Sequence, residues 1–472
     1  MKITDVKLIS LSAPLKESEQ WRFHGGLVVQ MNCNLVIVST DDGITGVGEI
    51  GEMDRYAVKE VVEKVLKKEV LNEDPFNVEK LWDKMYRRIM YSSKTNGVVA
   101  ISGIETALWD IIGKATNRPV YDLLGGRYHQ KIRVYASAGL WKREDRNLKS
   151  TEGLAEELSR YVDEGFTAVK IRVGRDPEKD LERVKIAREA IGDEIDLLID
   201  AQCKYNVPLA IKMGRRFERY EPFWLEEPLP PDDIEGYQTV TQALSIPIAA
   251  GENAFTRYGF RELIAKRAVD IVQADASRAG GILECKKIAS MASAFHIQYA
   301  PHCWWSAVAL AANLHSCICN PNSIILEYRK VPSPLRDELL LEPIEVKNGY
   351  IEAPTKPGLG LELNMNILKK YPYLRRVFQE IKQDRRIKLA ILFGSHARRT
   401  ARKESDIDIF VQAKERDYNV EKFERRYKKT GGKTVRRKPK VKAAPKKKER
   451  VKKQPTKKKK TDLEEDIEET EE

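Results

Sequence analysis

The sequence predicts an α/β fold with a (β/α)8 barrel between residues 129 and 345, and two observations carry this prediction. Short apolar runs recur from 167 to 327, and each ends in a polar or charged residue about 23 to 30 positions before the end of the next. That interval accommodates one strand, one helix and two loops. Buried parallel strands read as continuous apolar runs of this kind, and helical apolar spacing fills the stretches between them. Residues 132–138 supply the first strand.

The residues that close these runs define a candidate site. In a (β/α)8 barrel the carboxyl ends of all strands meet at one mouth, where catalytic groups lie. We therefore expect a single mouth to hold the eight polar residues at the strand ends. These are Lys170, Arg172, Asp200, Glu226, Glu252, Asp275, His302 and Glu327.

Three successive strand ends carry a carboxylate, namely Asp200, Glu226 and Glu252. Three hard oxygen ligands with room for water and substrate suit octahedral Mg²⁺. A single strand-end carboxylate is often a surface or salt-bridged group, but three at one mouth would repel one another without a cation. The sequence therefore predicts a Mg²⁺ site here.

The flanks of the barrel have different patterns. Residues 1–50 alternate like antiparallel strands, and residues 54–125 have helical apolar spacing. After the last barrel strand, residues 346–371 return to strand-like segments and a Pro- and Gly-rich stretch. We expect these flanks to form a smaller α+β unit beside the barrel.

A polar loop at 16–26 lies between two of the predicted N-terminal strands. Such loops are usually only solvated. This one carries Trp21, Arg22 and His24, so it becomes a candidate substrate-binding element if it folds over the barrel mouth.

The net charge of +12 is concentrated at the C-terminal end. Residues 412–472 hold 23 Lys and Arg against 13 Asp and Glu, a net of +10, which leaves +2 for the preceding 411 residues. This Lys-rich segment with an acidic end has no apolar periodicity and is predicted to be disordered. It lacks interleaved aromatic residues, so we expect at most a weak nucleic-acid contact.

The pattern of cysteines and the hydropathy of the chain indicate the cellular compartment of the protein. The six cysteines form no CxxC pair, which disfavours a disulfide framework or zinc site and fits a reducing cytoplasm. The N-terminus has no apolar signal region, and no apolar run approaches the roughly 20 residues that cross a bilayer. We expect a cytoplasmic protein with no membrane contact.

Several motifs together resemble the enolase superfamily, specifically the mandelate racemase subgroup, over residues 1–371. The motifs are Lys170-Ile171-Arg172, Ile199-Asp200-Ala201-Gln202, Trp224-Leu225-Glu226-Glu227-Pro228, Gly251-Glu252-Asn253, Asp275-Ala276-Ser277-Arg278-Ala279-Gly280-Gly281-Ile282, Pro301-His302, Leu326-Glu327-Tyr328 and Pro357-Gly358-Leu359-Gly360. The resemblance implies an α+β capping domain (1–128, completed by 346–371) over a modified barrel (129–345), and commonly a homo-oligomer. It also implies Mg²⁺ on the three carboxylates.

The resemblance further implies removal of a proton α to a carboxylate, with Mg²⁺ stabilising the charge that forms. His302 is the candidate base, and Asp275 on the preceding strand would hold one ring nitrogen so that the other faces the substrate. Glu327 would hydrogen-bond the intermediate. Gln202 joins Trp21, Arg22 and His24 as a candidate substrate-binding residue.

Arg172 departs from the pattern of two-base racemases, which carry Lys at this position. Arginine holds its proton and is a poor base, but it clamps carboxylates well. Lys170, two residues earlier on the same face, would assist by its charge or act as a base if its pKa is lowered. We therefore predict a one-sided reaction, dehydration of a sugar acid (an aldonate) to a 2-keto-3-deoxy acid. A racemase or epimerase that uses Lys170 is the alternative.

A second unit resembles a minimal nucleotidyltransferase domain over residues 372–411. The similarity lies in 392–399 and 405–409, where Gly394 and Ser395 would hold a nucleotide phosphate and Asp406 and Asp408 a second Mg²⁺. No later apolar strand carries a third acid, so we expect a truncated domain. A nucleotidyltransferase or nucleic-acid-binding fusion protein is the alternative function of another class.

Overall fold

The computed structural model shows a barrel with a smaller α+β region packed against it. It describes residues 1–23, 26–51, 55–91, 94–143, 145 and 150–372, and the strands at 387–393, 408–413 and 435–436. Within those segments, no helix combines the length and the apolar character that a membrane crossing needs.

The strands in chain order are β1 (Ile3–Pro14), β2 (Trp21–Phe23), β3 (Gly26–Val28), β4 (Gln30–Thr40), β5 (Thr45–Ile50), β6 (Lys131–Ser137), β7 (Trp141–Lys142), β8 (Ala168–Arg172), β9 (Asp196–Asp200), β10 (Trp224–Glu226), β11 (Ile248–Ala250), β12 (Ile271–Val272), β13 (Gln298–Tyr299), β14 (Leu326–Arg329), β15 (Tyr350–Glu352), β16 (Ile387–Phe393), β17 (Asp408–Ala413) and β18 (Val435–Arg436).

The helices are α1 (Arg55–Glu60), α2 (Lys67–Val70), α3 (Val78–Ile89), α4 (Lys94–Thr116), α5 (Val120–Leu123), α6 (Leu154–Asp163), α7 (Pro177–Ile191), α8 (Val207–Phe217), α9 (Ile234–Ala243), α10 (Thr256–Ala265), α11 (Ile282–Ala294), α12 (Ala307–Ile318), α13 (Pro334–Asp337) and α14 (Met365–Lys370). A π-helical segment (Val61–Leu66) joins α1 to α2, and 3-10 turns lie at Glu17–Glu19 and Glu218–Tyr220.

The barrel consists of eight parallel strands in the order β14-β6-β8-β9-β10-β11-β12-β13. The two ends of this sheet meet, because Tyr299 accepts a bond from the Ile324 amide at 3.0 Å and donates its own amide to Asn322 at 2.9 Å. β15 adds antiparallel to β6 on the outside. The predicted (β/α)8 barrel is confirmed, and each apolar run identified in the sequence supplies one of its strands.

Helix boundaries in the barrel follow from local chemistry. Asp176 caps α7 by accepting the amides of Glu178 and Lys179, and Pro177 occupies the first turn, where no amide donor is needed. Ser306 caps α12 by accepting the Val308 amide. The second example matters for the site, because the cap Ser306 lies four residues after His302.

The capping region contains the antiparallel sheet β1-β4-β5 and the helices α1 to α5. α4 is buried along most of its length, and its apolar side chains join those of β1, β4 and α3 in a core separate from that of the barrel. A second small sheet, β3-β2-β7, links the N-terminal loop to the segment after the first barrel strand. The loop at 16–23 is therefore anchored at the barrel mouth.

The C-terminal unit contributes three strands to the description. β16 pairs antiparallel with β17, and β17 pairs parallel with β18. β18 lies within the segment 412–472, and most of that segment lies outside the described residues. The predicted disordered tail, like the domain boundaries, therefore stays a prediction.

Candidate active site

Strand register brings the predicted acids and bases to one mouth. Asp200 on β9 pairs with Arg172 on β8 and with Glu226 on β10, so three functional side chains are lateral neighbours. Side chains of laterally paired residues in a parallel sheet point to the same face, and here that face is the barrel interior. The apolar runs that end in polar residues thus become strands that end at a polar mouth.

Burial and the charges of neighbouring groups change the pKa values of the carboxylates at this mouth. Burial raises the pKa of Asp200 to about 6 and that of Glu226 to about 7, and the charges of neighbouring carboxylates add to the increase. Lys170 and Arg172 oppose it only in part. Glu252 is the more open acid, with 30 % of its side chain exposed. Hard oxygen donors with excess negative charge fit a divalent cation such as Mg²⁺.

The acids do not yet converge on one point. Among the described residues, no group of three or more His, Cys, Asp or Glu side chains could hold a metal ion as the side chains stand. The reason lies at Glu226, whose Oε1 is 2.5 Å from the Lys170 Nζ and whose Oε2 accepts the Trp224 indole N–H at 3.1 Å. A cation at Glu226 would therefore lie close to the Lys170 ammonium, and the two positive charges would repel each other.

Lys170 is fully engaged inside the barrel. Its Nζ lies 2.5 Å from Glu226, 3.0 Å from Glu327 and 3.3 Å from the Tyr135 hydroxyl, and only 1 % of its side chain is exposed. Burial by itself would lower its pKa, but the two carboxylates outweigh burial and hold the pKa above its ordinary value. This is the opposite of the lowered pKa that a Lys170 base would need.

His302 and Asp275 form a hydrogen-bonded pair. The His302 Nδ1 lies 2.9 Å from the Asp275 Oδ2. Asp275 also accepts bonds from the Ser277 amide and hydroxyl and from the Asn313 amide group, and its pKa is lowered because these bonds and the His302 charge outweigh its burial. A firmly ionised Asp275 makes Nδ1 the donor, which leaves Nε2 to face the mouth.

The second ring nitrogen of His302 faces acids. Nε2 lies 3.5 Å from the Glu252 carboxylate and 3.9 Å from that of Glu327. Burial would lower the pKa of His302, but the charges of Glu252, Glu327 and Asp275 raise it to about 9. The imidazolium that forms when His302 accepts a proton is therefore stabilised in this site.

Arg172 and Glu327 are held by neighbouring loops. Arg172 donates to the Ala138 carbonyl at 2.6 Å and to the Ser137 hydroxyl at 2.9 Å, and its Nε lies 3.4 Å from Asp200. Glu327 accepts from the Ser137 hydroxyl and the Cys303 amide, and its pKa lies below the ordinary range because Lys170 and His302 outweigh burial. Both side chains therefore stand in fixed positions, and Glu327 is in its charged form.

A cavity of about 320 Å³ opens at this mouth. It contains five of the predicted site residues on the barrel side, and Trp21 covers it from the N-terminal loop. The lining residues are Trp21, Phe23, Leu140, Arg172, Asp200, Gln202, Glu252, Asn253, Arg278, His302, Trp304 and Trp305. Lys170, Glu226, Asp275 and Glu327 lie below this surface, each at most 1 % exposed.

The predicted substrate-binding residues have different placements. Trp21 packs edge-on against Trp304 with ring centroids 5.6 Å apart. The Gln202 Oε1 is buried without a hydrogen-bond partner among the described residues, so it has a free acceptor at the cavity. Arg22 turns away and donates to the Arg143 carbonyl at 2.5 Å. His24 lies outside the described residues.

Sequence reasoning missed six lining residues. Asn253 directly follows the predicted site residue Glu252, and Trp304 and Trp305 come soon after His302. Their positions just beyond strand ends were the available signal. Phe23, Leu140 and Arg278 complete the set, and Arg278 joins the two domains by donating to the carbonyls of Glu252 and Gly51.

The predicted second site, in the C-terminal unit, is not described beyond its strands. Gly394, Ser395 and Asp406 lie outside the described residues, and Asp408 is the first residue of β17. These four assignments therefore stay predictions.

Comparison with protein families assigns both units. Residues 19–125 match the mandelate racemase / muconate lactonizing enzyme N-terminal domain, and residues 153–367 match the enolase C-terminal domain-like family. Residues 374–467 match the nucleotidyltransferase domain. Both resemblances predicted from the sequence are confirmed.

Individual relatives agree with this assignment. An arabinonate dehydratase of Saccharolobus solfataricus is 37 % identical over 71 % of this chain and 89 % of its own length. A D-galactarolactone cycloisomerase of Agrobacterium fabrum is 35 % identical over 79 % of this chain and 99 % of its own. The crystal structure of a putative mandelate racemase from Bordetella bronchiseptica, 36 % identical, superposes with a TM-score of 0.75 over 79 % of this chain and 95 % of its own. The chain belongs to the mandelate racemase / muconate lactonizing enzyme family of the enolase superfamily.

Proposed function

We propose that the protein is a hydro-lyase that dehydrates an aldonate to its 2-keto-3-deoxy acid with the aid of Mg²⁺. The observation that carries the proposal is an asymmetric mouth. His302, oriented by Asp275, is a base at one strand end, whereas Arg172 stands across the cavity with its guanidinium tied to Ala138 and Ser137. One base on one face favours elimination over proton exchange between two faces. The arabinonate dehydratase relative supports the sugar-acid class.

His302 carries the proton chemistry in this proposal. Its Nε2 takes the proton from C2 of the aldonate, and the C–H electron pair moves into the carboxylate end of the substrate. Asp275, which holds Nδ1 at 2.9 Å, stabilises the resulting imidazolium and fixes its orientation. Arg172 clamps the negative charge on the substrate.

Asp200, Glu226 and Glu252 are the proposed ligands of the cation. When bound, Mg²⁺ supplies positive charge that stabilises the substrate carboxylate as negative charge builds up on it. The donor chemistry fits because all three side chains end in oxygens and because their like charges are incompletely balanced by Lys170 and Arg172.

The leaving group departs without a second acid. The C3–O bond breaks as the C2=C3 double bond forms, and His302 returns its proton to the departing hydroxyl, which leaves as water. The remaining enol becomes the 2-keto acid by taking a proton at C3 and losing the proton of its C2 hydroxyl to solvent. Proton removal and return by one histidine require the C2 proton and the C3 hydroxyl to lie on the same side of the substrate.

The racemase or epimerase alternative depends on Lys170 as the second base. The Lys170 Nζ does not line the cavity, and it is bound to Glu226, Glu327 and Tyr135. It would have to leave three partners to reach the substrate. The geometry therefore supports the dehydratase.

The test is a screen of aldonic and aldaric acids with Mg²⁺ that detects 2-keto-3-deoxy acids, run on wild type and His302→Asn. We expect one acid to be dehydrated by wild type and the rate to fall at least about 1,000-fold in the variant. His296→Asn is the matched control, because His296 is exposed and its φ of +60° suits asparagine. It should leave the rate unchanged.

Two outcomes would contradict the proposal. Exchange of the C2 proton with deuterated solvent, with no loss of water from any acid, would assign a racemase or epimerase. Conversion of a lactone without formation of a keto acid would place the protein with the cycloisomerase relative instead.

Other features of the protein remain proposals. A reducing cytoplasm is supported by its six cysteines, all of which are free thiols. A homo-oligomer and a weak nucleic-acid contact of the basic segment stay predictions. Nucleotidyltransferase activity also stays an alternative, since most of residues 374–467 lie outside the described structure.

A further inference from the structure

The interior of the barrel is layered. The lower part is apolar, formed by Tyr135, Ala168, Leu198, Trp224, Ala249, Ile271, Ala300 and Ile325. In such barrels four inward side chains from alternate strands make up each layer. Two residues further along β8, β10 and β14, the inward positions are Lys170, Glu226 and Glu327. The fourth position of that layer follows β12 and is Gln273.

Gln273 differs from the other three members of this layer. The Lys170 Nζ lies 2.5 Å from the Glu226 carboxylate and 3.0 Å from the Glu327 carboxylate, so these three residues have partners within the layer. Gln273 is completely buried, and no described atom lies within hydrogen-bonding distance of its Oε1 or its Nε2. Burial of an amide without partners destabilises a protein. A buried polar group without partners is typically retained in a protein where function requires that group.

Glu226, in the same layer, differs from Gln273 because its polar atoms already have partners. Both oxygens of Glu226 are occupied, one by the Lys170 ammonium and one by the Trp224 indole. A cation bound by Glu226 would lie close to the Lys170 ammonium, and repulsion between the two positive charges favours separation of Lys170 from Glu226. The ammonium of Lys170, 1 % exposed, would then lose an acceptor in a place that water does not reach.

We propose that Gln273 is a positioning residue for the cation site, an inference that rests on the proposed function. Its amide offers one acceptor and two donors to the layer in which Glu226 exchanges partners. When Glu226 turns to the cation, the Gln273 Oε1 accepts from Lys170 and its Nε2 donates to a carboxylate of the layer. Gln273 thus lowers the cost of rearranging the layer, and it acts on the cation through Lys170 and Glu226 rather than by contact.

The test replaces the amide by an apolar group of similar shape. In Gln273→Met we expect the Mg²⁺-free protein to melt a few degrees higher than wild type, because an unpartnered amide is removed. We expect the Mg²⁺ dissociation constant, measured by titration calorimetry without substrate, to rise about 10-fold or more. Gln273→Leu serves as a second apolar variant if the first does not fold.

Thr106→Val is the matched control. Thr106 lies in α4 of the capping region, is 1 % exposed, and its hydroxyl has no partner among the described residues. Its removal should raise the melting temperature in the same way and leave Mg²⁺ affinity unchanged. Wild-type affinity for Mg²⁺ in Gln273→Met, or a lower melting temperature of its Mg²⁺-free form, would overturn the inference. Failure of wild type itself to bind Mg²⁺ would instead overturn the proposed function.

Discussion

Two regions of this protein bury carboxylates, and they do so in different ways. At the interface between the capping region and the barrel, Glu49 accepts the Ser306 and Ala309 amides at the start of α12, and Glu105 accepts two amides at the start of α11. At the mouth, Asp200 accepts one backbone amide and lies beside the Arg172 guanidinium, and Glu226 accepts from the Lys170 ammonium and the Trp224 indole. Burial raises the pKa of the acids in both regions, so the pKa alone does not separate them.

The partners separate the two regions. Backbone amides at a helix start satisfy a carboxylate and stabilise its helix, so the interface acids need nothing more. The mouth has too few cations for its acids, and its layer contains an amide without a partner. A buried acid bound by two amides of a helix start is therefore structural, whereas several acids crowded at one mouth with too few cations indicate a ligand.

The largest expected effect is at the mouth. Glu226→Gln removes a proposed cation ligand and one acceptor of Lys170. We expect Mg²⁺ binding to fall below detection in calorimetry and dehydration to slow about 1,000-fold or more. The Mg²⁺-free protein should be less stable than wild type, because the buried Lys170 ammonium loses a charged partner.

The same substitution at the interface is the control for that variant. Glu105→Gln should bind Mg²⁺ like wild type, because Glu105 contacts Ile282, Leu283 and Trp109 and no mouth residue. If Glu226→Gln retained wild-type Mg²⁺ affinity, the mouth acids would be structural after all and the comparison would fail.

A smaller effect, on stability, is expected at Glu49. Glu49→Gln replaces an acceptor of the Ser306 amide, the Ser306 hydroxyl and the Ala309 amide by a group that accepts through one oxygen. At least one buried donor loses its partner, which costs about 2 kcal/mol. We expect a lower midpoint of urea unfolding and unchanged Mg²⁺ affinity. Loss of Mg²⁺ binding at full stability would instead place Glu49 with the mouth.

The mouth was predictable from the sequence to a large extent. Each apolar run became a barrel strand, because period and length alone identify buried parallel strands. The polar end of each run then had to lie at the mouth, which placed Asp200, Glu252 and His302 around one cavity. The pairing of His302 with Asp275 followed because they end neighbouring strands.

The interface was not predictable in the same way. Glu49 and Ser306 are 257 positions apart, and no local pattern relates an acid in one domain to a helix start in the other. The ion pairs of Lys170 were also not predictable from the sequence, because the spacing of the strand ends allowed Glu226 and Glu327 equally as its partner. Gln273 was passed over because its run was taken to end at Asp275, two residues later.

An effect that appears only at low pH is expected at a histidine of the interface. His315 in α12 is completely buried, accepts the Tyr121 amide at its Nδ1 and stacks on the Tyr121 ring. Burial lowers its pKa to about 4, so His315 is neutral in the folded protein at pH 6, whereas an unfolded histidine titrates near 6.5. The unfolded chain therefore binds the extra proton, and stability falls as the pH drops from about 7 towards 4.

The loss reaches at most about 3 kcal/mol, set by the difference between the two pKa values. His315→Asn keeps an acceptor near Nδ1 but cannot titrate, so its unfolding free energy should vary less than that of wild type between pH 7 and 4.5. His296→Asn, on the surface, should follow wild type, and the measurement is urea unfolding of all three proteins across that range. Parallel pH profiles for wild type and His315→Asn would show that His315 is protonated in the folded state, and the interface would then contain a charge that no partner balances.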